Sequence, residues 1–243
     1  MIPLPPNTDL MDDAEATARA AAEHLLALAA TATGERVAIC LSGGSTPKRL
    51  YALLASPGFA ERVPWSRIHW FFGDDRVVPW DDALSNVRMV REAFGHAAPV
   101  PATHLHFIPS DRGAEDGARA YAATLRDFYG ADRLDPARPL FDLVLLGLGS
   151  DGHTASLFPG KPALAEREAW AAPVPEAGME PFVPRITLTF PALASSRSVL
   201  FLVNGAGKRA PLQRLADGAD LPARHVESAG EVRWYIDREA AGA

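Results

Sequence analysis

The chain has 243 residues, of which 48% are hydrophobic and 22% charged, and a formal net charge of −6. That balance suffices for a substantial core and excludes a disordered chain; the acidic charge argues against nucleic acid or an anionic membrane as the main partner, because both require a basic face for counterion release. The one cysteine, Cys40, excludes an intrachain disulfide and a cysteine-rich zinc site.

Residues 1–10 contain three prolines and no basic n-region, and the alanine-rich stretch that follows is interrupted by Glu15, Arg19, Glu23 and His24. Neither a signal peptide nor a membrane span fits, so the expected location is cytoplasmic. Residues 11–30, rich in Ala and Leu with Asp12 and Asp13 placed early, predict an N-terminal helix. Residues 37–41 form an apolar run that predicts a buried strand, with Cys40 an inert thiol inside it. A helix is expected over 47–54 with Pro47 in its first turn, then a strand over 68–72, a helix over 85–94, a short strand over 105–108 and a helix over 114–129.

Residues 143–147 are the most apolar strand candidate. Prolines then punctuate the chain, leaving strand candidates at 170–174, 186–189 and 199–203, a helix over 208–215 and a last strand over 232–236. Strands alternating with helices predict an α/β fold with a mostly parallel sheet covered on both faces, whose ligands bind beyond the carboxyl ends of the strands. No repeat, long charge run or low-complexity linker divides the chain, so residues 1–243 are expected to form a single domain with a small excursion near 160–185.

Two glycine loops carry the chemistry. The first, Ser42, Gly43, Gly44, Ser45, Thr46 and Pro47, offers hydroxyls, close backbone approach and free N–H groups at a helix start, the ingredients of a phosphate cradle. It lacks the Walker A spacing, and its alternative reading is a capped turn with Thr46 as N-cap and Pro47 as the first helical residue. The second, residues 147–160 (GLGSDGHTASLFPG), follows a strand and formally contains G-x-G-x-x-G, but Pro159 and Pro162 follow where a dinucleotide fold needs a regular helix.

No G-x-S-x-G elbow surrounds Ser42, Ser45 or Ser150, so water is the expected nucleophile if the reaction is a hydrolysis. His153 suits its activation, since an imidazole exchanges a proton near neutrality, and Asp151 is placed to orient the ring. The alternatives are a turn-stabilising Asx motif at Asp151 and a helix-cap histidine at His153. Arg76, after the strand at 68–72, fits an anion or a developing oxyanion, or a local ion pair with Asp74 or Asp75. Arg185 and Lys208 each stand at the start of an element beside proline or glycine, which raises them above ordinary surface cations. His104 and His106 form an H-x-H pair on one face of the expected short strand; without a third ligand they read as edge or surface histidines, and no metal is assigned.

Residues 41–47 (LSGGSTP), 73–79 (GDDRVVP), Ser85 with Asn86, 147–160, 185–189 (RITLT) and 205–208 (GAGK) follow in an order that resembles the 6-phosphogluconolactonase family, within the group sharing the glucosamine-6-phosphate deaminase type of fold. The resemblance runs through most of the chain. It implies a Rossmann-like α/β fold and cofactor-free hydrolysis of 6-phospho-D-glucono-1,5-lactone to 6-phosphogluconate in the oxidative pentose phosphate pathway. It implies His153 as general base, Ser42 to Thr46 with Arg185 and Lys208 as phosphate ligands, and Arg76 near the reacting end. The family usually has Asp-Glu-Arg where this chain has Asp74, Asp75 and Arg76, which opens the question of what Asp75 does.

Glucosamine-6-phosphate deaminases share the phosphate loop and the D-G-H turn but continue toward an Asn-Glu-Pro sequence; the corresponding residues 155–160 here hold no acid. A non-catalytic sugar-phosphate-sensing domain is the third reading, and no separate helix-turn-helix segment accompanies it. The sequence leaves oligomeric state open and is compatible with a monomer.

Overall fold

A computed structural model describes residues 2–243. Strands β1 (Thr8–Met11), β2 (Val37–Leu41), β3 (Ile68–Phe72), β5 (Phe141–Leu146), β8 (Ser196–Val203) and β9 (Glu231–Asp237) form one sheet in the order β1-β9-β8-β5-β2-β3, parallel at every pairing. Around it lie helices α1 (Ala14–Thr31), α2 (Ser45–Leu54), α3 (Asn86–Phe94), α4 (Gly113–Tyr129), α5 (Phe190–Ala194), α6 (Arg209–Ala216) and α7 (Arg238–Ala241). Every residue of β2, and all of β8 except Arg197, is buried. Because successive side chains of a strand point to opposite faces, such a run needs cover on both, which is the Rossmann-like α/β architecture expected.

The strand order places the site. From β2 the chain moves outward to β3, whereas from β5 it moves the other way through β8 to β9, so the crevice between β2 and β5 is the topological switch point. The loops after these two strands are the two glycine loops. Buried tyrosines fix the strand ends nearby: Tyr51 Oη accepts from Ser42 N (2.9 Å) and donates to Ser42 O (2.8 Å), and Tyr121 Oη does the same for Phe72 N (2.8 Å) and O (2.9 Å).

Several expectations are corrected. The N-terminal helix begins at Ala14, capped by Asp13 accepting from Ala16 N, because residues 8–11 are drawn into β1 by pairing with β9. Helix α2 starts at Ser45 behind Gly44, so Thr46 is not its N-cap and Pro47 is not its first residue. No strand forms over 105–108: a 3-10 turn at Ala102–His104 precedes a single bridge from Leu105 to Trp70. The strands expected at 170–174 and 186–189 leave the parallel sheet. They are β6 (Ala171–Val174) and β7 (Arg185–Leu188), which join β4 (Asp74–Arg76) in a small antiparallel sheet ordered β4-β7-β6. Gly73 links the sheets, donating to Leu41 O (2.9 Å) and accepting from Leu188 N (2.7 Å). Cys40 is buried, and burial pushes its thiol well above its ordinary range, which makes it inert. Buried residues from both sheets belong to one continuous cluster, and among the described residues no helix is long and apolar enough to cross a membrane.

Candidate active site

The loop after β2 turns through Gly44, whose φ of 108° lies in the region that favours glycine, and delivers Ser45 and Thr46 into the first turn of α2. Their N–H groups have no acceptor within the helix, and Pro47 contributes none, so the positive end of α2 is open to an anion. Gly43 is held for another reason: a Cβ there would meet the Asn86 carboxamide at 2.2 Å.

The loop after β5 folds on itself. Gly149 N donates to His153 O (2.8 Å), Gly152 N donates to Gly149 O (3.0 Å), and Gly152 takes a φ of 92°. Asp151 Oδ1 accepts from His153 N (3.0 Å) and lies 2.5 Å from His153 Nδ1. One carboxylate thus makes the turn and orients the ring, so the Asx motif and the functional reading of Asp151 describe the same contacts. The imidazole packs 4.5 Å from the Phe158 ring and covers Gly149, where a Cβ would sit 2.0 Å from Nδ1. Burial opposes ionisation of Asp151, but hydrogen bonds from the His153 ring and backbone outweigh it and hold the carboxyl below its usual range. A carboxylate at Nδ1 assigns the proton to that nitrogen and leaves Nε2 as the acceptor.

Cations face these loops. Arg76 ends β4 and pairs in register with Arg185 at the start of β7, so two guanidinium-bearing residues stand directly across an antiparallel pair. Like charges so placed are destabilising, which marks the pair as serving something other than stability. The local ion pair of Arg76 with Asp74 or Asp75 does not form; Arg76 Nη1 donates to Leu84 O at 2.6 Å. Arg185 is buried, donates to Pro181 O (3.0 Å) and lies 5.7 Å from the Phe158 ring centroid. Burial lowers its pKa, with the neighbouring Asp74 carboxylate acting in the opposite sense. Lys208 Nζ donates to Leu148 O (2.6 Å) in the histidine loop, and burial lowers its pKa against the pull of Asp151.

These groups share a cleft of about 320 Å³, lined by Ser42, Gly43, Gly44, Ser45, Thr46, Arg76, His153, Arg185 and Lys208. Asp151 stands behind His153 and does not line it. Asp74, Asn86, Met179 and Asn204 also line the cleft without having been assigned a role from sequence. Asp74 Oδ2 accepts from Ser156 Oγ at 2.5 Å, and Asn204 Nδ2 donates to Thr17 Oγ1 at 2.7 Å. Among the described residues, four cleft residues hold a buried polar atom with no protein partner: Arg76 Nε, Thr154 Oγ1, Arg185 Nε and Asn204 Oδ1. Unpaired buried polar atoms are rare in a finished core, and their concentration here fits a wall built for a polar ligand. His104 and His106 lie elsewhere: both stack on His69, with ring centroids 4.0 and 5.3 Å away, at the edge strand β3.

The sequence model of the Glucosamine-6-phosphate isomerases/6-phosphogluconolactonase family matches residues 12–234. A 6-phosphogluconolactonase from Synechocystis is 40% identical over 207 residues, covering 83% of this chain and 82% of the relative. The one from Homo sapiens is 37% identical over 212 residues, covering 85% and 80%. Among solved structures, 6-phosphogluconolactonase from Trypanosoma cruzi superposes with a TM-score of 0.85 at 29% identity, covering 100% of this chain and 97% of that one. A monomeric glucosamine-6-phosphate deaminase reaches 0.78 at 21% identity, covering 97% and 99%, which speaks for the fold alone.

Proposed function

The chain belongs to the glucosamine-6-phosphate isomerase/6-phosphogluconolactonase family, and we propose that it hydrolyses 6-phospho-D-glucono-1,5-lactone to 6-phospho-D-gluconate. The observation that carries the reading is one cleft with an oriented base at one loop and three cationic residues with an open helix end facing it. A phosphosugar lactone has the matching parts, an anionic group to hold and an activated ester to open.

The lactone phosphate binds the N–H groups and hydroxyls of Ser42 to Thr46 at α2, together with Arg185 and Lys208. His153 Nε2 takes a proton from water as its oxygen bonds to C1, while Asp151 at Nδ1 stabilises the imidazolium that forms. Arg76 stabilises the developing oxyanion. When the bond from C1 to the ring oxygen breaks, His153 returns the proton to that oxygen, so the net change is addition of one water. The product carboxylic acid ionises at neutral pH. A lactone is already activated, so positioning, one base and fixed charges supply the acceleration without a covalent nucleophile, and no step calls on a metal or cofactor.

The continuous core supports reading residues 1–243 as one domain, and the acidic charge supports an enzyme that binds no nucleic acid. Amino-sugar deamination is disfavoured because residues 155–160 carry no acid. The test is to add the protein, with a chelator present, to freshly generated lactone and to follow acid release against the spontaneous rate. Release several-fold above background is expected; release at the background rate, or ammonia from glucosamine 6-phosphate, overturns the reading.

A further inference from the structure

Asp75 is fully buried, 0% exposed, and does not line the cleft. Its carboxylate nevertheless accepts four hydrogen bonds. Arg76 N and Asn86 N both reach Oδ1 at 2.8 Å; Ser85 Oγ and Val87 N reach Oδ2 at 3.1 and 3.4 Å. A carboxylate taken this far from water is tolerated only when its lone pairs are filled, and here both oxygens are.

The donors decide what the group does. Two of them are the backbone N–H groups of Arg76 and Asn86, which both line the cleft, and the second and third lie at the start of α3. The Asn86 side chain continues the linkage: Nδ2 donates to Asp74 O at 2.9 Å, and the carboxamide fills the space beside Gly43 in the hydroxyl-rich loop. A path of direct contacts therefore runs from Asp75 to Arg76 on one side, and through Asn86 to the phosphate loop on the other. Among the described residues, no other side-chain carboxylate hydrogen-bonds to both Arg76 and Asn86.

Resting on the lactonase reading, we propose that Asp75 is a positioning residue, which never meets the substrate but sets the backbone of Arg76 and of Asn86 so that guanidinium, carboxamide and phosphate loop share one geometry. A carboxylate is required because each oxygen faces two donors. The amide of an asparagine, in either orientation, turns an NH2 group toward a pair of N–H or O–H donors. The departure from the family's usual glutamate thus keeps a charge that acts inside the wall rather than on the lactone.

The test is a mutant cycle read as kcat/KM with the lactone, beside thermal melts and the affinity for inorganic phosphate. A misplacement near 1 Å costs on the order of 10²-fold, so Asp75→Asn is expected to lose roughly that much with the fold intact and to weaken phosphate binding. In an Arg76→Ala/Asn86→Ala background the same change should cost less than about threefold, because the groups it positions are already gone. Ser85→Ala, which removes one donor and spares the carboxylate, should show a smaller loss that vanishes in the same background; it carries the test if Asp75→Asn does not fold. Losses that multiply fully in that background, or folded single variants with wild-type kcat/KM and wild-type phosphate affinity, overturn the proposal. A wild-type protein that leaves the lactone at its spontaneous rate counts against the reaction alone, and the phosphate affinities of the same variants then decide the positioning role.

Discussion

His153 is held by three different kinds of contact: the Asp151 carboxylate at Nδ1, the face of Phe158, and the bare backbone of Gly149 beneath the ring. Each constrains the direction in which Nε2 points, and general-base catalysis depends on that direction as much as on basicity. Removing the proposed base in His153→Ala is expected to lower kcat by about 10² to 10⁴-fold with KM little changed, measured as initial rates corrected for spontaneous hydrolysis. Gly149→Ala tests the ring's seat without touching the base. Its Cβ would overlap the ring at 2.0 Å, so the imidazole must rotate away from Asp151; a kcat loss of about 10-fold or more is expected, and wild-type kcat would mean the seat is not needed. His153 and Asp151 were legible because a turn two residues long brings them together whatever the fold does around it. Asp75 and Asn86 were not, since their roles depend on Asn86 N reaching a carboxylate eleven positions earlier and on the loop at Gly43 passing the same point.

At the scale of elements, the edge strand β3 carries a feature outside the site. His104 stacks on His69, His69 and His106 pack against Phe128, His106 also stacks on Phe71, and His69 Nδ1 lies 3.0 Å from His106 Nε2. Burial, with the neighbouring imidazoles and Arg36 adding to it, lowers both His69 and His106 to about 4. Between that value and the ordinary 6.5 the unfolded chain binds more protons than the folded one, so stability from this cluster is full above about 6.5 and declines as pH falls toward 4. His106→Phe keeps the stacking and removes one titration. Its melting temperature is expected to gain on the wild type progressively from pH 7 to 4.5, and a constant difference across that range would refute the assignment. Elements with strong apolar runs, β2 and β3 among them, were readable to the residue, because a strand buried along all of its length, or all but His69 in β3, needs no partner to announce it. Strand β1, four half-buried residues, exists only through β9, more than 220 residues away, and β4, β6 and β7 are too short for their own periodicity to show that they leave the main sheet.

Across the whole molecule the charges set up two opposed fields. The net charge is −6, while Arg76, Arg185 and Lys208 gather at the switch point between β2 and β5. Exposed acids act through solvent with a screening length of about 8 Å at physiological salt, so they repel an approaching phosphosugar weakly; the cleft cations act at contact, where screening has little hold. Binding of the phosphate should therefore depend on individual contacts rather than on steering. A charge-assisted hydrogen bond contributes about 1.5–3 kcal/mol, or roughly 10- to 150-fold in affinity, and Lys208→Ala is expected to raise KM for the phosphorylated lactone within that range. The same substitution also removes the donor to Leu148 O in the histidine loop, a change that affects any lactone equally. Unphosphorylated gluconolactone separates the two effects: the loss with the phosphorylated substrate should exceed the loss without phosphate by about 10-fold or more, while added salt alone shifts wild-type KM by less than about 3-fold. Equal losses on both lactones would assign Lys208 to holding the loop and leave the phosphate to Arg185 and the end of α2.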